Sequence, residues 1–226
     1  MTMRALREIL LCEAIENDDW ASREKVFSAL GEWTSDNNAE NKAAISPRVI
    51  NGIRLLMKKE ELLEPVPEFA LHRGITMSKK QLARWLQTPV ENMDAEGQVK
   101  VNGSIVVGKE GPTSWSHRST IAVGFATSRT KDGVAHRMND PVNAVFTTRA
   151  ALNPGVFVDL CAGPNFKQFN SFIDEKEALA LTPVKVEIIT WIDTLPWSMG
   201  NDAQAKKTIE DYRKSIDKLK MLVSGL

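Results

Sequence analysis

Three short stretches carry residue types able to do chemistry together. In Leu71-His72-Arg73-Gly74 an arginine interrupts an apolar, strand-like run, and the glycine beside it leaves room for another backbone or a ligand to come close. In Ser114-Trp115-Ser116-His117, strand alternation sets Ser114 and Ser116 on one face and Trp115 on the other. Two small hydroxyls at a strand end can hydrogen-bond a ligand or orient a neighbouring charge. In Asp174-Glu175-Lys176-Glu177, a period of two puts Glu175 and Glu177 on the same side of a strand entrance. Carboxylates so placed repel each other, which is tolerated on a solvated edge and useful when each performs a separate task in one cleft. Each stretch also has a plain structural reading: a strand arginine reaching solvent, a serine-capped turn, a solvated charge run.

Other chemistries lack their residues. There is no GxxxxGK[ST] or GxGxxG loop to cradle a phosphate, and no GxSxG turn to present a nucleophilic serine. His72, His117 and His136 stand outside any HExxH-type or Cys-rich context and read as surface or satisfied structural residues.

The elements that must position these residues follow from periodicity. Up to Glu64 the chain reads as helices: Met3, Leu6, Ile9 and Leu10 form one stripe, and Val26, Phe27, Leu30 and Trp33 a second. A third helix starts at the Ser46-Pro47 cap and ends before Pro65-Val66-Pro67. The pattern then changes to short strands. Phe69–Ile75 is the first, and Ser78 caps a helix carrying Leu82, Trp85 and Leu86. Gln98–Val101 and Ser104–Val107 flank Asn102-Gly103, a type I′ hairpin signal. A strand runs into Trp115, and a helix over Ser119–Thr127 turns Ile121, Ala122, Phe125 and Ala126 toward the sheet. Strands are expected at Asn143–Arg149, Val156–Leu160 and Glu177–Ile192. Between the last two, Gly163–Asp174 carries Phe166, Phe169 and Phe172 in a turn-like context, pinning the loop to the core or offering a surface to a partner. A final helix carries Ala205, Ile209, Tyr212, Ile216, Leu219 and Val223 on one face, which packs on the body. Helices first, then a mostly antiparallel strand-rich body, make an α+β chain.

Composition narrows the class. A chain of 226 residues buries roughly 70% of the surface it exposes when unfolded, enough for a core without staples. Cys12 and Cys161 are too few for a disulfide framework, which favours a reducing compartment. No apolar run approaches the roughly 18 residues of a membrane span, and the charged start is unlike a signal peptide, so a soluble chain is expected. The 29 Lys+Arg against 29 Asp+Glu leave no cationic excess to drive general nucleic-acid binding.

Taken in chain order, Arg73-Gly74, then Ser114-Trp115-Ser116 with Ala122-Val123-Gly124-Phe125-Ala126, then Glu175-Lys176-Glu177-Ala178-Leu179 resemble the R-S-E class of mono-ADP-ribosyltransferases, the arginine-modifying toxin and phage type. The resemblance covers about Phe69 to Ile192. It implies an ADP-ribosyltransferase-like split β-sandwich, with a helical region over 1–64, a catalytic body over 65–198 and a C-terminal helix over 199–226. It implies NAD as co-substrate, no metal, and a target protein presenting an arginine. Glu177 would stabilise the ribose and Glu175 would receive the acceptor. Arg73 would hold the pyrophosphate and Gly74 the carboxamide, while Ser114 would orient Glu177 or contact the ribose. Ser116, Phe125 and Arg137 complete the implied cofactor set, although Trp115 and Phe125 also read as supports of the sheet, and Ser128–Pro141 as a solvated basic loop. Phe172 matches an aromatic position of the substrate-recognition turn. A monomer acting in the cytoplasm of its producer, or of an infected or intoxicated cell, is the implied setting. The competing readings are an NAD glycohydrolase and a non-catalytic binding protein on the same fold.

Overall fold

A computed structural model describes Asn51 and residues 70–109, 111–131, 140–159, 177–194 and 202–226. The expected helices of 1–64 therefore lie outside the described residues, apart from Asn51, which is helical. The described chain is α+β, and its paired strands with a recorded register are antiparallel.

The chain divides into two compact units. One contains, among the described residues, 70–107, 115–131, 140–152, 185–194 and 202–226. It opens with β1 (Ala70–Ser78), longer than the expected strand because its ladder with β5 (Pro141–Arg149) runs from Ala70↔Arg149 to Ser78↔Pro141. Ser78 then caps α1 (Lys79–Leu86) as its residue type requires, its Oγ accepting from the Gln81 N–H at 3.2 Å. The helix stops at Gln87, whose left-handed φ of 54° turns its N–H back onto the Ala83 and Arg84 carbonyls.

Asn102 and Gly103 adopt φ of 46° and 82°, and the Ser104 N–H closes the turn on the Val101 carbonyl at 2.9 Å. The hairpin ladder itself does not form. β2 (Glu96–Lys100) pairs instead with β9 (Ile188–Asp193), and β3 (Val106–Val107) with β8 (Val184–Lys185). The Val101 and Gly103 N–H groups go to the Glu187 and Val186 carbonyls. Turn chemistry is local, whereas the choice of ladder partner is set by distant strands. The expected strand Glu177–Ile192 is likewise interrupted, into β7 (Glu177–Ala180), β8 and β9. Pro183, which has no N–H to give a ladder, stands at the first break.

In this unit the sheet runs β2, β9, β5, β1, with the end of β4 (Thr113–Ser116) next to β1. α2 (Ser119–Lys131) and α3 (Asp202–Ser224) cover one face. Their buried side chains Ala122, Val123, Ala126, Leu219 and Val223 form a core with Val145 and Ile192, and Ile216 packs against it. The helix face on α2 differs from expectation: Val123 is buried, whereas Phe125 is 48% exposed. On the opposite sheet face α1 sets Trp85 at 5.4 Å from the Phe146 ring.

The other unit contains, among the described residues, Asn51, 108–109, 111–114, 153–159 and 177–184. Its strands follow the order β4, β7, β6 (Phe157–Asp159), with β6 and β7 in register at Val158↔Leu179. Ala178, Leu179 and Ala180 are fully buried, so β7 is covered on both faces.

Candidate functional site

The described site residues fall in both units. Arg73 and Gly74 lie mid-strand in β1, and Ser116 ends β4 opposite His72. Directly opposed residues of an antiparallel pair share a face, so Ser116, His72, Thr147 and Ile188 stand in one row on the α2 side. Arg73 belongs to the other face, in register with Phe146, which is itself opposite Ile189. The register thus separates the half-buried Arg73 from Ser116 by the thickness of the sheet. Among the described residues, β1 and β4 meet at the single register position His72↔Ser116, after which β4 leaves for α2.

Gly74 has a clear steric reason. A Cβ there would lie 1.7 Å from the Ala122 carbonyl oxygen and 2.6 Å from the Ala126 nitrogen. The close approach anticipated for this glycine is therefore that of the α2 backbone, and any ligand contact at Gly74 falls to its peptide groups. The Ser116 Oγ accepts the Arg118 N–H at 3.0 Å, shaping the exit from β4 into the helix. Phe125 projects from the exposed side of α2, next to Gly124, where an added Cβ would meet nothing within 4 Å.

In the other unit, Ser114 lies on β4 and Glu177 is the first residue of the neighbouring β7. Glu177 is 6% exposed, an unusual position for a carboxylate and one that ordinarily requires polar partners. Glu175, Phe172 and Arg137 lie outside the described residues.

His72, a bystander by its sequence context, has a defined place in the structure. It is buried, with Nδ1 3.0 Å from the Thr147 Oγ1. Burial, and secondarily the charge of nearby His117, pull its pKa from 6.5 down to about 4. The folded protein thus holds this imidazole neutral, and the unfolded chain binds the extra proton at higher pH. Stability carried by His72 is complete above about pH 6.5 and is lost as pH falls toward about 4, by up to about 3 kcal/mol. Urea denaturation at stepped pH is expected to show this loss in the wild type and a flatter profile in His72→Gln. Equal slopes in both proteins would remove the assignment.

Among the described residues no group of three or more His, Cys, Asp or Glu side chains is arranged to hold a metal, and no helix is long and apolar enough to cross a membrane. No protein-family model, curated protein or solved structure matches the chain.

Proposed function

We propose that this protein is an NAD-dependent mono-ADP-ribosyltransferase that transfers ADP-ribose to an arginine of a target protein, on an ADP-ribosyltransferase-like split β-sandwich. The observation that carries the reading is Glu177: a carboxylate buried at the first residue of β7, in a unit where β7 neighbours the strand bearing Ser114. The order of the three motifs, with Arg73 in β1, Ser114 and Ser116 in a strand leading to α2, and Glu177 entering a late strand, agrees with it.

The chemistry assigns each residue a task. Cleavage of the bond between nicotinamide and the ribose C1′ sends the bonding pair away with neutral nicotinamide and leaves an oxocarbenium-like ribose. The Glu177 carboxylate stabilises the positive charge as it develops, which lowers the barrier more than it tightens NAD binding. An arginine guanidinium nitrogen then bonds to C1′. Because free guanidinium is protonated, a proton must leave as the bond forms, and Glu175 accepts it. Arg73 pairs with the pyrophosphate through charge-assisted hydrogen bonds. Ser114 orients Glu177, and Arg137 completes the phosphate contacts. Ser116, on the sheet face opposite Arg73 with its Oγ on the Arg118 N–H, and Phe125, on the outward side of α2, stand apart from a nucleotide held at Arg73.

Incubation with labelled NAD and a small guanidine compound tests the reading. The expected result is nicotinamide release together with an ADP-ribosyl adduct of the guanidine. Release without an adduct on the guanidine or on proteins of a lysate would make the protein an NAD glycohydrolase. No nicotinamide release by folded protein would leave a non-catalytic binding protein.

A further inference from the structure

The sheet face that carries Arg73 is rich in aromatic side chains, and the fold does not use all of them equally. Phe146, directly opposite Arg73, is buried and forms the floor. Trp191 of β9, on the same face through its pairing with Ala144, is buried too. Its ring lies over Gly97, where an added Cβ would come within 2.3 Å of it, and its indole N–H donates to the Asp94 carbonyl at 3.2 Å. Trp85 of α1 is different. Its ring centroid is 5.4 Å from that of Phe146, so one side of the indole is backed by the floor. The residue is nonetheless only half-buried, and among the described residues its N–H meets no hydrogen-bond partner. Arg73 and Ile75, neighbours on this face of β1, are half-buried as well. Opposed residues of antiparallel strands stand about 4.5–5.5 Å apart, so Arg73 and Trp85 both adjoin Phe146 and border one patch.

We infer that Trp85 is the stacking platform for the adenine ring of the nucleotide whose pyrophosphate Arg73 holds; the identity of that nucleotide rests on the transferase reading above. An indole backed by a buried ring offers a flat, already oriented π-face, and bases stack on such faces. A guanidinium beside it selects a ligand that joins an aromatic ring to an anion through a short linker, as a nucleotide does. Of the two rings of NAD, adenine is the neutral one. The nicotinamide ring carries a positive charge, which Arg73 next to the platform disfavours. The indole N–H, at the rim of the ring, is left to donate to a ribose or phosphate oxygen. Adenine is remote from the bond that breaks and is held alike in bound NAD and in the transition state, so the contact acts on KM and leaves kcat nearly unchanged.

The test compares the wild type with Trp85→Leu and Trp85→Phe, by calorimetric titration with ADP-ribose and with nicotinamide mononucleotide and by rates of nicotinamide release from NAD. Leucine keeps an apolar contact with Phe146 and removes the π-face, whereas phenylalanine keeps a smaller one. Trp85→Leu is expected to weaken ADP-ribose binding and to raise KM for NAD about 10-fold, a change of about 1.4 kcal/mol, with kcat within about twofold. Trp85→Phe is expected to stay within about 3-fold of the wild type. Nicotinamide mononucleotide, which has no adenine, is expected to bind all three proteins equally. Labelling with 5-fluorotryptophan adds a readout on the wild type: the resonance missing from Trp85→Phe is expected to shift on addition of AMP. An unmoved resonance, a Trp85→Leu protein of native thermal stability with wild-type affinity for ADP-ribose, or an equal loss for nicotinamide mononucleotide would overturn the platform, whether or not the protein cleaves NAD. A wild type that binds ADP-ribose through Trp85 and releases no nicotinamide would overturn the transferase reading and leave the adenine platform in place.

Discussion

Replacing Glu177 by glutamine is expected to cut nicotinamide release by about 10³-fold in kcat, with KM for NAD nearly unchanged. The substitution keeps the shape of a side chain that is 6% exposed and removes only its negative charge. If that charge acts on the oxocarbenium-like state, the loss must fall mainly on kcat, because in bound NAD the positive charge sits on the nicotinamide ring and reaches the ribose only as the bond breaks. Glu175→Ala is expected to behave differently: nicotinamide release persists as slow hydrolysis, and labelling of arginine is lost. Steady-state kinetics and mass spectrometry of the acceptor separate the two outcomes. A Glu177→Gln protein with native thermal stability and wild-type kcat would remove the carboxylate from the proposed mechanism. Equal loss of both activities in Glu175→Ala would collapse the division of labour between the pair.

The largest expected effect on stability belongs to Gly74→Ala. All three atoms met by the new Cβ are backbone: the Ala122 oxygen at 1.7 Å, the Ala126 nitrogen at 2.6 Å and the Ala122 carbonyl carbon at 2.7 Å. No side-chain rotation can relieve such contacts, so α2 must move off β1. That movement opens the core of Ala122, Ala126 and Val145 and stretches the bond from Thr76 to Ala126. A loss of about 4 kcal/mol or more is expected, seen as a drop of about 10 °C or more in Tm or as failure to fold. Gly124→Ala, on the open side of the same helix, is expected to gain up to about 1 kcal/mol, because alanine is the better helix former and nothing obstructs it. Opposite signs from the same substitution in neighbouring elements make the pair informative: a Gly74→Ala protein with native Tm would mean that the helix does not sit on the strand as described.

Several features of the fold are legible in the residues alone. Ser78 caps α1 because a serine hydroxyl competes well for an early helical N–H, and Asn102-Gly103 turns because both residues tolerate positive φ. The alternation of strands and helices through the middle of the chain, and the buried stripe of Tyr212, Leu219 and Val223 on the last helix, follow from periods of 2 and 3.6. Pairing is not legible in this way. The turn at Asn102-Gly103 forms without its ladder, since β9 and β8 take β2 and β3. Helical spacing from Ala122 directs Phe125 against the sheet, yet the burying face takes Val123 and leaves Phe125 half exposed.

Local grammar resides in short stretches of residues: which of them cap, turn and alternate, and which side chains could share a chemistry. Those properties depend on torsional preferences and hydrogen bonds spanning a few residues. Partners are chosen by long-range packing. It places Arg73 and Ser116 on opposite sheet faces, fills the space beside Gly74 with a helix backbone, and withholds a proton from His72 by burying it beside Thr147. It also joins Tyr212 to Thr127 across 85 positions of chain. Such contacts arise from the collective packing of distant segments, whose geometry no short stretch of residues encodes.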